Sequence, residues 1–336
     1  MEAHLHRSGI GTATQHQRNA LKPTDFTVIY SPWDFKNKFN PQMVCEFDIA
    51  HCNLFGPLSV LVAKTALHRE KPLVLHAHVT AEDFADSFRG STKLSSSLRS
   101  YLRWFYSQAD CVICPSNYTK NTLQTYPVTS PISVMSNGVD IESLQGFETL
   151  REDYRSKYGL SGLTVFSVGN VFERKGLTTF CKLAQSTDYN FVWFGPYETG
   201  PIASPPVKKW TRSNLPNLTF TGWISDKRGA YAAGDVFCFP SKVENQGISV
   251  LEAMSCGKAV VLSDIPVFQE YYTHGKDCLM CHSLDDFKNA IDLLHQDDSL
   301  YKKLCKNAQK TANKHTLSIL SKNLEDIYSS TLNNFS

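Results

Sequence analysis

VFCFPSKVENQGISVLEAMSCGKAVVLS (236–263) is the stretch that decides the fold. VFCFP reads as a short buried strand, SKVENQG as a turn, ISVLEAMSC as a helix and AVVLS as a second buried strand. Strands that are apolar on both faces belong to parallel sheets with helices on their surfaces. A strand–helix–strand unit of this length closes by a right-handed crossover. The alternation continues upstream through LTVFSVG (163–169), FVWFGP (191–196) and LTFTG (218–222), with LTTFCKLAQ as an intervening helix. An earlier series reads FTVIY (26–30), FDIAHC (47–52), PLVLHAH (72–78), DCVIC (110–114) and PISVMSNG (131–138), spaced by helical stretches such as LSVLVAKTALHR and LRSYLRWFYSQA. Two consecutive doubly wound α/β units therefore share the chain.

The polar stretch ETLREDYRSKYG (148–159) marks the boundary, so residues 1–155 and 156–315 are the expected Rossmann-like domains. HTLSILSKNLEDIYSSTLNNF is expected to be a last amphipathic helix, within 316–336, returning to the N-terminal domain. Ligands of such sheets bind beyond the carboxyl ends of the strands, and two such domains facing one another make a cleft. One irregularity stands at the start. A doubly wound domain opens with a strand, yet MEAHLHRS, the text before SGIGT, alternates poorly and carries two His and an Arg.

Composition narrows the class. The 336 residues exceed one compact core, and 42% hydrophobic with 20% charged residues describes a globular enzyme. Formal net charge is +2, with 13 basic and 13 acidic side chains in residues 1–150 and 21 and 19 in the rest. Neither half carries the clustered basic face that nucleic acid requires. The N-terminal text has no apolar run of signal-peptide type, and no stretch is apolar for long enough to span a membrane, so a cytoplasmic location is expected. Cys111/Cys114 and Cys278/Cys281 form two CxxC pairs that imitate a zinc site. Residues three apart on the strand DCVIC point to opposite faces, however, and the second pair lies in the other half, so the cysteines read as small buried hydrophobes.

The chemistry concentrates in SKVENQGISVLEAMSCG, where Glu244 and Glu252 stand eight positions apart around Gly247. Helical side chains lean toward the helix N-terminus, so Glu252 reaches back toward a ligand while Glu244 projects from the loop. Backbone amides from Gly247 through Ile248 to Ser249 lack helical partners at the positive dipole end, which suits phosphate. Taken singly, each Glu has the plain alternative of an exposed helix carboxylate. In SVGNVFERKGL (167–177) a strand ends at Gly169 and Lys175-Gly176 opens the next helix. A lysine there is a compact positive charge for a leaving diphosphate, against the alternative of a solvated surface lysine. LHAHVT (75–80) places His76 and His78 on one face at a strand end, with His76 read as a core histidine.

These residues resemble the retaining glycosyltransferases of family 4, among the group 1 glycosyl transferases. The family's donor signature has two Glu separated by seven residues around a Gly-rich loop, after an apolar strand ending in Pro-Ser, here Pro240 and Ser241, and before LEAM and Gly257. The resemblance implies a GT-B fold. It also implies that Glu244 contacts the donor sugar, that Glu252 holds the ribose hydroxyls, and that Asn245, Gly247 and Ile248 line the donor. Lys175 corresponds to the family's diphosphate lysine. Asn170 stands where the family has Arg; Arg174 is nearby and is counted with Asn170 among the donor-binding residues, a helical direction being what would turn it away from the site. His78 corresponds to the family's strand-end histidine, Gly222-Trp223 to the segment that binds the base, and Gly9 and Gly11 to the acceptor-side glycine loop. Trp223 stacks on the base or packs in the core.

The resemblance implies a hexosyltransferase that uses a UDP- or GDP-sugar as co-substrate and a glycan, lipid or lipid-linked acceptor. No Asp-x-Asp occurs, so neither a metal nor another cofactor is expected. The alternatives are a non-catalytic nucleotide-sugar-binding protein and another GT-B enzyme of epimerase or phosphorylase type. In LRSYLRWFYSQA (98–109), Leu98, Tyr101, Leu102 and Phe105 form one stripe beside Arg99 and Arg103. Core packing is the plain reading, and peripheral contact with the inner face of the membrane is the sharper one.

Overall fold

Strands without a polar face form the centre of both sheets. The computed structural model describes residues 8–27 and 47–335. In the first sheet, strands β1 (Ala50–Cys52), β2 (Leu73–His76), β3 (Cys111–Cys114) and β4 (Ile132–Val134) pair in parallel in the order 1-2-3-4. The second contains β5 (Thr164–Val168), β6 (Asn190–Phe194), β7 (Leu218–Gly222), β8 (Val236–Phe239), β9 (Ala259–Ser263) and β10 (Leu279–Cys281). Its order is 10-9-8-5-6-7, again all parallel. The strand FTVIY falls at 28–30 outside the described residues, as does MEAHLHR at 1–7.

The chain divides into two units. One runs as far as Glu82, resumes over Leu94–Gly138 and takes up the chain again from Leu317; the other holds Asp83–Lys93 and Val139–Thr316. The division falls at Gly138/Val139 rather than near 155. The helix Arg151–Lys157 looks polar in sequence, but Arg151 and Arg155 turn onto Asp235 at 2.6 and 3.3 Å, which fastens it to the second unit. The segment 83–93 joins that unit as well, through Asp83 on Arg174 and the Arg89 amide on the Ile202 carbonyl.

In the first unit the sheet is packed on both faces. Leu73, Leu75, Val112 and Cys114 meet Ala63, Ala66, Leu102 and Phe105 from the helices Pro57–His68 and Ser91–Tyr106. On the other face Val74, Cys111 and Ile113 meet Ala20 and Leu21 of the helix Gly9–Leu21 and Leu320, Leu324 and Tyr328 of the helix Leu317–Phe335. Cys111 and Cys114 thus lie in different cores, as alternation along a strand requires. Leu98 and Tyr101 pack against the same core as Leu102 and Phe105, so this stripe is core, each fully buried side chain contributing about 1.5–3 kcal/mol.

Strand order positions the site in the second unit. From β5 the chain winds outward through β6 and β7, then returns to the other side of β5 and winds outward through β8, β9 and β10. The switch point lies between β5 and β8, which pair at Val165 with Val236 and at Phe166 with Phe237. A crevice opens beyond the carboxyl ends of strands at such a point. The loops there are the ones that follow Val168 and Phe239.

Candidate active site

The loop after β5 reaches a one-turn 3₁₀ helix at Glu173–Lys175 and then the helix Leu177–Gln185, so Lys175 precedes that helix instead of opening it. Between them Gly176 adopts φ +78°, and a Cβ there would stand 1.9 Å from the Pro240 carbonyl oxygen. Only glycine lets this backbone pass so close to the loop after β8. The close passage brings Lys175 and Arg174 beside Ser241–Glu244.

Glu244 is buried, and three groups converge on it. Lys175 Nζ lies 3.1 Å from Oε1, Arg174 Nη1 3.5 Å, and the Ser241 hydroxyl 3.2 Å. Arg174 also meets Asp83 at 2.7 Å and donates through Nε to the Ser87 hydroxyl at 2.9 Å. Arg174 is therefore not turned away: the 3₁₀ turn aims it and Lys175 at one carboxylate. All four charged side chains are 8–15% exposed, so water screens them little. Burial alone would push the Glu244 carboxyl up, but Lys175 and Arg174 outweigh it and hold the group below its ordinary range. Burial pushes the Asp83 carboxyl up, and Arg174 only partly offsets this. Asn170 is half-buried on the same loop, one residue beyond Gly169. Lys175 Nζ lies 3.6 Å from the position a Cβ on Gly169 would take.

After Glu244 the chain passes buried Asn245 and turns at Gly247, φ +85°, into the helix Ile248–Ser255. That conformation favours glycine, and Ile248 and Ser249 begin the helix with amides free of helical acceptors. Glu252, on the next turn, is 4% exposed. Lys227 Nζ sits 2.6 Å from its Oε1, and the Tyr231 hydroxyl donates to Oε2 at 2.5 Å. Burial works against the Lys227 charge, but Glu252 outweighs it and raises the ammonium. Neither Lys227 nor Tyr231 had a signal in the sequence; they come from the segment after β7. At the end of β7, Gly222 takes φ +69° and Trp223 is 46% exposed, so Trp223 does not pack in the core.

The remaining sequence-selected residues lie in the first unit. Gly9 and Gly11 do not form a loop. They occupy the first turn of the helix Gly9–Leu21, where the Ser8 side chain caps the Gly11 amide at 3.2 Å. An N-cap serine offsets the poor helix propensity of glycine, a competition the GxG pattern alone cannot reveal. His78 is buried and stacks on His76, ring centroids 3.9 Å apart, and His76 stacks on His51 at 5.6 Å. The Asn53 amide donates to Gln17 Oε1 at 2.8 Å, so Asn53 Oδ1 accepts from His78 Nε2 at 2.8 Å, and the Gln17 amide donates to His76 Nδ1 at 3.0 Å. This network assigns the proton of His78 to Nε2. Burial pushes His51 down to about 4 and His78 down to about 3, the latter with help from His51; burial and both neighbours hold His76 well below its ordinary value. All three rings are neutral near pH 7.

No group of three or more His, Cys, Asp or Glu among the described residues is arranged to hold a metal ion. No helix among them is long and apolar enough to cross a membrane.

Two parallel-sheet units in one chain, the second carrying paired buried carboxylates at a topological switch point, define the GT-B class of glycosyltransferases. The family model "Glycosyl transferases group 1" matches residues 151–311, and the model "Glycosyltransferase Family 4" matches residues 13–143. Both models are of glycosyltransferases, and the chain resembles the group 1, family 4 enzymes. It is 27% identical to the processive diacylglycerol alpha-glucosyltransferase of Acholeplasma laidlawii over 332 residues, 96% of this chain and 94% of that protein. It is 26% identical over 235 residues to the alpha-monoglucosyldiacylglycerol synthase of Streptococcus pneumoniae, covering 66% of this chain and 53% of that protein, so it spans about half of the latter's length. Among solved structures it shares its fold with Anabaena HepE in complex with UDP and glucose, at TM-score 0.70 and 20% identity, over 86% of this chain and 79% of that one.

Proposed function

We propose that this glycosyltransferase moves a hexose from a nucleoside-diphosphate sugar, UDP- or GDP-linked, to a lipid acceptor of diacylglycerol type, with retention of anomeric configuration and without a metal. The observation that carries the donor reading is the pair of buried carboxylates flanking Gly247, each with its own lysine: Glu244 with Lys175 and Glu252 with Lys227. The acceptor reading rests on the similarity over nearly the whole chain to a diacylglycerol glucosyltransferase. Glycan and lipid-linked acceptors are the other arms of the test.

Lys175 and the amides at Ile248 and Ser249 receive the negative charge that develops on the leaving diphosphate, each preorganised donor supplying about 3 kcal/mol. Glu244, held ionised, accepts from the sugar hydroxyls. Glu252 offers two oxygens to the vicinal hydroxyls of the ribose, and its fixation by Tyr231 and Lys227 holds it in place before the donor arrives. Trp223 offers an exposed aromatic face to the base. Retention follows from attack on the face the diphosphate leaves, the departing oxygen taking the acceptor proton. A lipid acceptor calls for peripheral contact with a membrane, and a cytoplasmic supply of the sugar nucleotide would make that the inner face.

The test is transfer from labelled UDP-glucose, UDP-galactose and GDP-mannose to diacylglycerol vesicles, glycans and polyprenyl-linked sugars, with the product anomer read by NMR. An α-linked glycolipid is the expected product. Absence of transfer from every donor to every acceptor overturns the reading, and transfer to glycans alone overturns the acceptor.

A further inference from the structure

We propose that Asp83 sets the donor affinity of the second unit by competing with the donor's diphosphate for Arg174. The inference rests on the reading of that unit as the nucleotide-sugar site. Asp83 lies far from the donor motif in sequence, but the segment 83–93 packs with the second unit and carries this carboxylate to Arg174 at 2.7 Å. Arg174, Lys175 and Glu244 act on the Asp83 carboxylate, and the Ser87 hydroxyl accepts from the same guanidinium. Two cations and two carboxylates balance in this buried cluster. A sugar nucleotide brings two further negative charges into it.

A little-screened cluster does not hold that excess, because like charges close together disfavour ionisation. One carboxylate gives way. Glu244 keeps Lys175 and Ser241. Asp83 loses its hold on Arg174 as the guanidinium turns to the diphosphate, a bidentate partner of matching geometry. It then takes a proton from solvent, which burial already favours. Donor binding therefore carries proton uptake, and donor affinity falls as pH rises. In Asp83→Asn the shape stays, the competitor is gone and no proton is required.

The experiment is calorimetric titration of UDP-glucose and GDP-mannose into the parent, Asp83→Asn and Lys175→Ala. The parent Kd is expected to rise with pH from about 6 to about 8, approaching a tenfold loss per unit for one linked proton. Asp83→Asn is expected to bind roughly tenfold or more tightly than the parent at the upper end, with a flat profile. A parent profile that is flat overturns the proposal. So does an Asp83→Asn variant that binds equally or more weakly at every pH, which would make Asp83 a prop for Arg174. Should Asp83→Asn fail to fold, the dependence of the parent's binding enthalpy on buffer ionisation counts the proton directly, and no uptake overturns the proposal. Lys175→Ala separates the two levels. If it abolishes binding while the Asp83 results fail, the donor site stands and this proposal falls. If neither nucleotide binds the parent, the donor-site reading falls with it.

Discussion

Mild acid should loosen the first unit specifically, because three histidines are held neutral inside it. In the folded state His51 is held down to about 4, His78 down to about 3 and His76 well below its ordinary value, against 6.5 in the unfolded chain. The sign follows from proton counting. Above pH 6.5 both states are neutral and nothing is linked; below it the unfolded chain binds protons that the folded rings refuse, so stability falls as pH drops toward 4. One unit below the unfolded value, each ring costs roughly 1.4 kcal/mol, and three cost about 4 kcal/mol. Against a typical domain stability of about 5–15 kcal/mol that is a large loss. An added proton on His76 would sit on Nδ1 against the Gln17 amide that already donates to it, and His51 Nε2 is buried with no hydrogen-bond partner among the described residues, so neither position stabilises the charge. Hydrogen exchange of the peptides covering β1 and β2 at about pH 7.5 and about pH 5.5, corrected for intrinsic rates, reads the opening free energy of this unit. A triple variant, His51→Gln, His76→Gln and His78→Gln, is expected to start less stable and to lose the pH slope. Unchanged opening energy between the two pH values in the parent, or an equal slope in the triple variant, would refute the reasoning.

Three further outcomes follow from the donor unit. Glu252→Ala is expected to weaken UDP-glucose binding by roughly tenfold or more, since it removes a buried acceptor and leaves the Lys227 charge and the Tyr231 hydroxyl unpaired, whereas Glu244→Ala chiefly lowers kcat; unchanged nucleotide affinity in Glu252→Ala sinks the ribose assignment. Asn170→Arg is expected to tighten nucleoside-diphosphate binding by about 1–2 kcal/mol through a charge-assisted contact, an effect that titration calorimetry measures directly; Arg174 lies in the same cluster, so no gain in Asn170→Arg together with a loss in Arg174→Ala would show that Arg174 already fills the role. Transfer is expected to survive EDTA if, as proposed, Lys175 and the helix amides carry the diphosphate charge; loss on chelation with recovery in Mg²⁺ or Mn²⁺ would contradict this.

The second unit was legible because its strands are short all-apolar runs bounded by Gly, Pro and Asp. LTFTG, VFCFP and AVVLS all meet observed strands within a residue. β10 escaped, because Leu279–Cys281 is three residues long and sits inside a CxxC pattern. Glu244, Gly247 and Glu252 lie within one local sequence pattern and Lys175 within another, so they were singled out. Asp83, Lys227, Tyr231, Gln17 and Asn53 were not, since each meets its partner only through the fold. The direction of Arg174 was not legible, because it depends on a 3₁₀ turn that stands where the sequence suggests the start of a helix. The division between the units falls before the polar stretch because Arg151 and Arg155 read as solvated charges until the fold brings them onto Asp235.

The chain order of the two units has a consequence for synthesis on the ribosome. The helix Leu317–Phe335 is translated after the whole of the second unit, yet its Leu320, Leu324 and Tyr328 complete the core of the first. The nascent chain therefore carries Val74, Ile113 and Met135 with that face still open while some 180 further residues emerge, on the order of ten to forty seconds at ordinary rates of synthesis. The unit written first is finished last. Until then the exposed sheet face is a binding surface for chaperones, and a stop codon at the second unit's edge would release a chain whose donor unit is whole and whose other half is not.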